Sequence, residues 1–142
     1  MDQNVHFITI ATDSLDAART FYVDGLGWKS LIDVPGDVIF FQVAPGTVLG
    51  FFDAVKFRED VNDAVTDTSI TGLTLSYNVD GPEAVQRVVA EAVAAGGRLV
   101  KEPQQAAFGG YHGHVADPNG LIWEFCHNPG WRVDADGTVV MG

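Results

Sequence analysis

The stretch FGGYHGHVADPNGLIWEF, residues 108–125, decides how the chain is read. YHGHVA (111–116) and LIWEFC (121–126) are rich in aromatic and β-branched residues, and DPNG between them is a turn signal. They read as the two strands of a hairpin. His112 and His114 stand two apart, and Glu124 follows across the turn. Imidazole and carboxylate are common ligands of a catalytic divalent metal. Whether these three can meet depends on register alone. With DPNG as a four-residue loop, Ala116 pairs with Leu121, His114 with Trp123, His112 with Phe125 and Glu124 with Gly113. Strand alternation then puts both histidines on one face and Glu124 on the other. A loop of three or five residues reverses that result. The four-residue register is the expectation, with each histidine satisfied by backbone or solvent.

Working outward, the chain says nearly the same thing twice. NVHFITIAT (4–12) reads as a strand, and DSLDAARTFYVDGLG (13–27) as a helix. Asp13 or Ser14 can cap that helix, Ala17, Ala18, Phe21 and Tyr22 share a face, and Gly25 or Gly27 can end it. WKSLIDV (28–34), DVIFFQV (37–43) and TVLGFFDAV (47–55) follow as strands separated by PGD and APG. In the second half, TGLTLSYNV (71–79) is a strand. GPEAVQRVVAEAVAAGG (81–97) is a helix with Pro82 in its first turn, an apolar face over Ala84, Val85, Val88, Val89, Ala92 and Val93, and Gly96–Gly97 as its stop. RLVKEP (98–103) and the hairpin complete the set. The pattern is βαβββ, twice: module one over 4–55, a polar linker with at most a helical turn over 56–70, module two over 71–129, and a tail over 130–142. DADG in the tail is expected as a plain turn, because the other ligands of a calcium loop are missing. The expected fold class is α+β, with paired βαβββ modules forming a curved mixed sheet around a cleft and helices outside. A cleft between modules is the natural place for a ligand.

Composition narrows the function. The chain has 142 residues and a net charge of −11. That charge repels nucleic acid and anionic membrane, so neither is an expected partner. No run approaches the 18 or so apolar residues of a membrane span. MDQNVHFITIATD lacks the cationic start and apolar core of a signal peptide, and a cytoplasmic location is expected. Cys126 is the one cysteine, expected as a buried small apolar residue. GxSxG and phosphate-loop patterns are absent.

These residues resemble a known family. The paired βαβββ plan is similar to that of the vicinal oxygen chelate superfamily: glyoxalase I, bleomycin-resistance proteins and extradiol dioxygenases. FITIATDSLDAARTFYVDGLGW (7–28) resembles its first strand and helix, and ADPNGLIWEF (116–125) its last hairpin. GGYHGHVADPNGLIWE, HNP and DADG stand in the same order as GGYSGYFADPDGHLWE, NP and DEDG in bacterial glyoxalase-like proteins. The resemblance spans almost the whole chain. It implies the fold, a small-molecule cleft and frequent homodimerisation. Function stays open, because the superfamily holds both metal enzymes and metal-free binding proteins.

In its metal-binding members, the resemblance implies one ligand from the first and last strand of each module. Here the first-strand position falls on Phe7, or on His6 if the alignment shifts by one. Its counterpart in module two is Thr74, or Leu73. The last-strand position of module one is Gly50, which has nothing to coordinate with. Glu124 alone stands at a family ligand position. A catalytic metal generally needs three protein ligands, so no metal and no other cofactor is expected. The expected site is a metal-free pocket for a small organic molecule, cationic or aromatic, with Glu124 as the carboxylate that pairs with it or moves a proton. Phe7, Thr9, Thr74, Ser76, Tyr111, Val115 and Ile122 are its expected lining, alongside Gly113 and Cys126. The alternative is a metal-dependent lyase, isomerase or dioxygenase using His6, Glu124 and further groups. His127 in HNPG is expected to be a solvated loop residue.

Overall fold

A computed structural model describes residues 1, 3–64, 67–107 and 109–141. Module one runs β1 (Phe7–Thr12), α1 (Leu15–Arg19), β2 (Ile32–Val34), β3 (Val38–Ala44) and β4 (Thr47–Asp53), followed by α2 (Ala54–Asp60). Module two runs β5 (Thr74–Asn78), α3 (Pro82–Ala94), β6 (Arg98–Gln105), β7 (Tyr111–Ala116) and β8 (Ile122–His127). The tail forms β9 (Trp131–Val133) and β10 (Val139–Met141).

The repeat read from the sequence is real in three dimensions. The strand orders are β1-β4-β3-β2 and β5-β8-β7-β6, with the first pair parallel and the others antiparallel in each sheet. The result is an α+β fold of two four-stranded mixed sheets.

Local chemistry explains the boundaries. Ser14 Oγ accepts the Ala17 amide at 3.1 Å and starts α1. The helix then widens to a π-helical segment, Thr20–Gly25, where the Leu26 amide reaches back to the Phe21 carbonyl at 2.9 Å. The helix expected over 13–27 therefore runs from Leu15 to Gly25, and Gly27, whose φ of +71° suits glycine, turns the chain out of it. TVLGFFDAV does not continue as a strand to 55. Asp53 Oδ1 accepts the amides of Val55 and Lys56 and caps α2, which begins within the expected strand and runs into the expected linker. WKSLIDV contributes only its last three residues to a strand. DADG turns the tail hairpin, with Asp134 and Thr138 closing it by backbone bonding.

Each sheet has one face covered by helix and one left open. The covered faces carry Ile10, Ile39, Phe41, Leu49 and Phe51 in module one and Val115 and Phe125 in module two. These pack with Phe21 and Tyr22 from the π-helical segment and Val85, Val89 and Ala92 from α3, in one core spanning both modules. Burying each large side chain is worth about 1.5–3 kcal/mol.

Beyond the shared core, specific contacts join the modules. Asn119 Nδ2, in the β7–β8 turn, donates to the Ala11 carbonyl at 3.0 Å. Gly25 meets the end of α3, where a Cβ would stand 2.5 Å from Ala95 Cβ. On the open face of module one, Phe7, Ile32 and Val34 are exposed. Among the described residues, no helix is long and apolar enough to cross a membrane.

Candidate functional site

The β7–β8 hairpin corrects the expected register. Ala116 pairs with Ile122, His114 with Glu124, Gly113 with Phe125 and His112 with Cys126. Asp117 is the cause. Its Oδ1 accepts the Asn119 and Leu121 amides at 2.9 Å each, and its own amide donates to the Leu121 carbonyl. Residues 117–121 thus form a five-residue loop, with Leu121 fully buried beneath it. One residue of slip turns every side chain of a strand over. His112 and His114 therefore share a face with Glu124.

On that open face the three side chains form a compact cluster. Glu124 Oε1 lies 2.9 Å from His112 Nδ1 and 3.7 Å from His114 Nε2. Glu124 Oε2 accepts the Ser76 hydroxyl at 2.7 Å. His112 Nε2 lies 2.8 Å from Lys101 Nζ. An ammonium only donates, so Nε2 accepts and the Nδ1–H of His112 donates to Glu124. Lys101, His112, Glu124 and Ser76 make a continuous polar chain from β6 to β5.

Burial raises the carboxyl of Glu124. The hydrogen bonds from His112 and Ser76, with the nearby imidazoles, outweigh it and leave its pKa below the ordinary carboxylate range. Glu124 is thus an anion at neutral pH, fit to accept a proton or pair with a cation and unfit to act as a general acid. Burial pushes the pKa of His114 down, with His112 and Lys101 adding to the effect against the pull of Glu124. Its Nδ1 is buried and has no hydrogen-bond partner. Cys126 shares the face but is buried, and burial with Glu124 nearby raises its thiol pKa.

The expected lining divides. Thr74, Ser76 and Ile122 lie on the Glu124 face, since Thr74 pairs with Ile122 and Ser76 with Glu124. Tyr111 and Val115 do not: the register shift turns them, with Gly113, to the covered face, where Val115 is fully buried and Tyr111 donates to the Pro103 carbonyl. Phe7 and Thr9 sit on the first sheet beside Phe40 and Gly50. Among the described residues, no hydrogen bond, ion pair or ring contact joins either to Glu124. His6 is exposed and bonded to Asn4. His127 is no loose loop residue: it ends β8, and its Nδ1 accepts the Gly81 amide at 3.0 Å ahead of α3. Lys101 was missed from the sequence, because β-bulges on either side of it set its position against β7.

A cavity of about 560 Å³ lies elsewhere, between the β1 and β5 edges. Trp28, Phe41, Leu49, Leu75, Tyr77 and Trp123 are among its lining, and so is Ser76.

The comparisons with known proteins agree with this architecture. Residues 4–125 match the model of the Glyoxalase/Bleomycin resistance protein/Dioxygenase superfamily, and the chain belongs to that superfamily. It is similar to the crystal structure of a glyoxalase-related enzyme from Fulvimarina pelagi, with 37% identity over 99% of both chains and a TM-score of 0.88. It also shares its fold with a glyoxalase/bleomycin resistance protein/dioxygenase family enzyme from Burkholderia phytofirmans PsJN, at 23% identity, 86% and 96% coverage and a TM-score of 0.73. Lactoylglutathione lyase from Agrobacterium tumefaciens is a further fold relative, at 22% identity, 89% and 95% coverage and a TM-score of 0.65. No curated protein matches the chain.

The metal ligand positions implied by the resemblance do not fit a metal here. Phe7 and Thr74 are not ligands of such a site, and His6 is turned to solvent. A side chain at position 50 would collide with the Phe40 ring, 2.9 Å from where its Cβ would stand. Glu124 is alone among those positions in having a usable donor.

Proposed function

We propose that the protein binds a small organic molecule on the open face of module two, with the Glu124 carboxylate as its polar anchor. The observation that carries this is the environment of Glu124. It is ionised, aimed by His112 and Ser76, and only partly shielded on a face whose neighbours Thr74, Ser76 and Ile122 offer hydroxyl and apolar contacts. A partly desolvated anion attracts a ligand cation or a hydroxyl or amine donor more strongly than a solvated one does. The net charge of −11 favours the approach of cations. If the ligand carries an acidic C–H or O–H, Glu124 is the base that removes its proton.

A thermal-shift and equilibrium-dialysis screen of cationic and neutral aromatic compounds, in chelator, tests this reading. Compounds that bind the wild type should lose at least tenfold in affinity for Glu124→Gln. Equal binding by both proteins places the site elsewhere, first of all in the cavity between the β1 and β5 edges. The proposal includes a homodimer, which sedimentation or light scattering of the intact chain checks.

The second reading, a metal-dependent lyase, isomerase or dioxygenase, is favoured by one specific observation. The expected absence of a metal rested in part on His112 and His114 facing away from Glu124. The observed register removes that premise.

A further inference from the structure

We infer that His112, His114 and Glu124 bind a divalent transition-metal ion, and that Lys101 competes with it for His112. The site belongs to the β7–β8 hairpin. It differs from the family's ligand positions, since it draws both imidazoles from β7. It goes beyond the organic-ligand reading and does not depend on it.

Geometry carries the inference first. One donor atom from each of the three residues lies within 4.8 Å of the others. Metal–nitrogen and metal–oxygen bonds of about 2.0–2.2 Å, at angles near 90–110°, set neighbouring ligand atoms roughly 3–3.5 Å apart. The separations from Glu124 Oε1 are 2.9 Å to His112 and 3.7 Å to His114, so small side-chain rotations close the set. The Ser76 bond to Oε2 fixes the carboxylate and leaves Oε1 towards both imidazoles. Such an outer hydrogen bond is how ligating carboxylates are oriented.

The second observation is His114 itself. Its Nδ1 is buried without a partner, and its Nε2 is too far from Glu124 for a hydrogen bond. Nε2 is the atom that faces Glu124, and an ion in the 3.7 Å gap between them would take its lone pair and leave Nδ1 to carry the ring proton. Two imidazoles and one carboxylate suit zinc, nickel, cobalt, manganese or ferrous iron, and leave positions open for water or an organic ligand.

Lys101 makes the proposal specific. It donates to His112 Nε2. If Nε2 binds the ion, that lone pair is used. If Nδ1 binds it, Nε2 must carry the proton and can no longer accept from Lys101. Either way the ion displaces Lys101, and the ammonium repels it as well. Removing the ammonium should therefore tighten metal binding, which mere structural damage would not do.

The test uses the full chain without an affinity tag, stripped with chelator and dialysed. Co(II) is titrated and followed by its visible absorption, with Zn(II) as competitor. One ion per chain is expected. His114→Ala and Glu124→Gln should each weaken binding at least tenfold, Lys101→Met should tighten it at least tenfold, and His6→Ala should leave it unchanged. Circular dichroism confirms that each variant folds, and His114→Gln replaces any that does not. Binding by Lys101→Met alone still supports the site. No stoichiometric ion in either the wild type or Lys101→Met overturns it, as does binding indifferent to His114 or dependent on His6. Organic-ligand binding in chelator with no metal binding would sink this proposal and leave the former one standing; the opposite pair of results would do the reverse.

Discussion

Tyr22 and Asp117, 95 positions apart in the chain, share a buried hydrogen bond of 2.7 Å in which the phenol donates to the carboxylate. Trp123 Nε1 donates to the same phenol oxygen at 2.8 Å. One hydroxyl thus ties the first module to the turn and strand that carry Glu124. Removing it leaves buried partners on both sides unsatisfied. Tyr22→Phe should destabilise the protein by about 1–3 kcal/mol, the usual cost of orphaning a buried polar group. Urea denaturation should show a lower midpoint with an unchanged slope.

Gly25 is needed for space, where Gly27 is needed for its φ of +71°. A Cβ at position 25 would fall 2.5 Å from Ala95 Cβ and 2.8 Å from its Cα. The backbone atom cannot swing aside. Gly25→Ala should cost about 1–3 kcal/mol through overpacking, read as a lower thermal midpoint. Ala95→Gly, in the background of Gly25→Ala, removes the closest obstacle and should recover part of the loss. No recovery would show that the clash lies in the backbone alone.

The fold was legible because each module buries its own pattern. The helical periodicity of residues 82–94 survives with Ala84, Val85, Val89 and Ala92 buried, though Val93 is left exposed, and 111–116 does form a strand. Two copies of that pattern, with the motifs around DPNG, pointed to one architecture. The site was less legible because it hangs on one residue of register. DPNG by itself favours a four-residue loop over a five-residue one, whereas the loop formed has five residues, 117–121. Asp117 chooses between them by drawing in the Asn119 and Leu121 amides while Tyr22 holds its other oxygen, and a partner 95 positions away leaves no local signal. Glu124, Ser76, Thr74 and Ile122 were found correctly on one face, because the parallel β5–β8 pair does not depend on that turn. Tyr111, Val115 and the two histidines were turned over together.

Acid stability should carry a signature of Arg19. Its Nε and Nη2 donate to the two oxygens of Asp33 at 2.7 and 2.6 Å, a forked pair. The guanidinium holds the Asp33 carboxyl below its ordinary range. Its folded pKa is depressed, so this stability is complete above the unfolded value near 3.9 and is lost as pH falls through the folded one. Arg19→Met should lower the thermal midpoint at pH 7, and the difference from wild type should shrink as pH drops from about 4 to 2. A difference independent of pH would mean that Arg19 acts by packing. Asp117 runs the other way: burial raises its carboxyl, so its contribution weakens as pH rises through the folded value.

His114 should trade stability for function. Its buried Nδ1 has no partner, and the side chain sits among Glu124, His112 and Lys101 with most of its surface covered. Leucine has similar bulk and no polar atoms to leave unsatisfied. In chelator, His114→Leu should be more stable than wild type by about 1 kcal/mol, since removing an unpaired buried polar group outright relieves its desolvation cost. The same variant should lose the cobalt absorption band. Stability and binding moving in opposite directions is the pattern of a residue kept for what it binds. If His114→Leu is instead destabilised in chelator, the imidazole has a structural role of its own, and retention of the cobalt band by this variant would overturn the ion site.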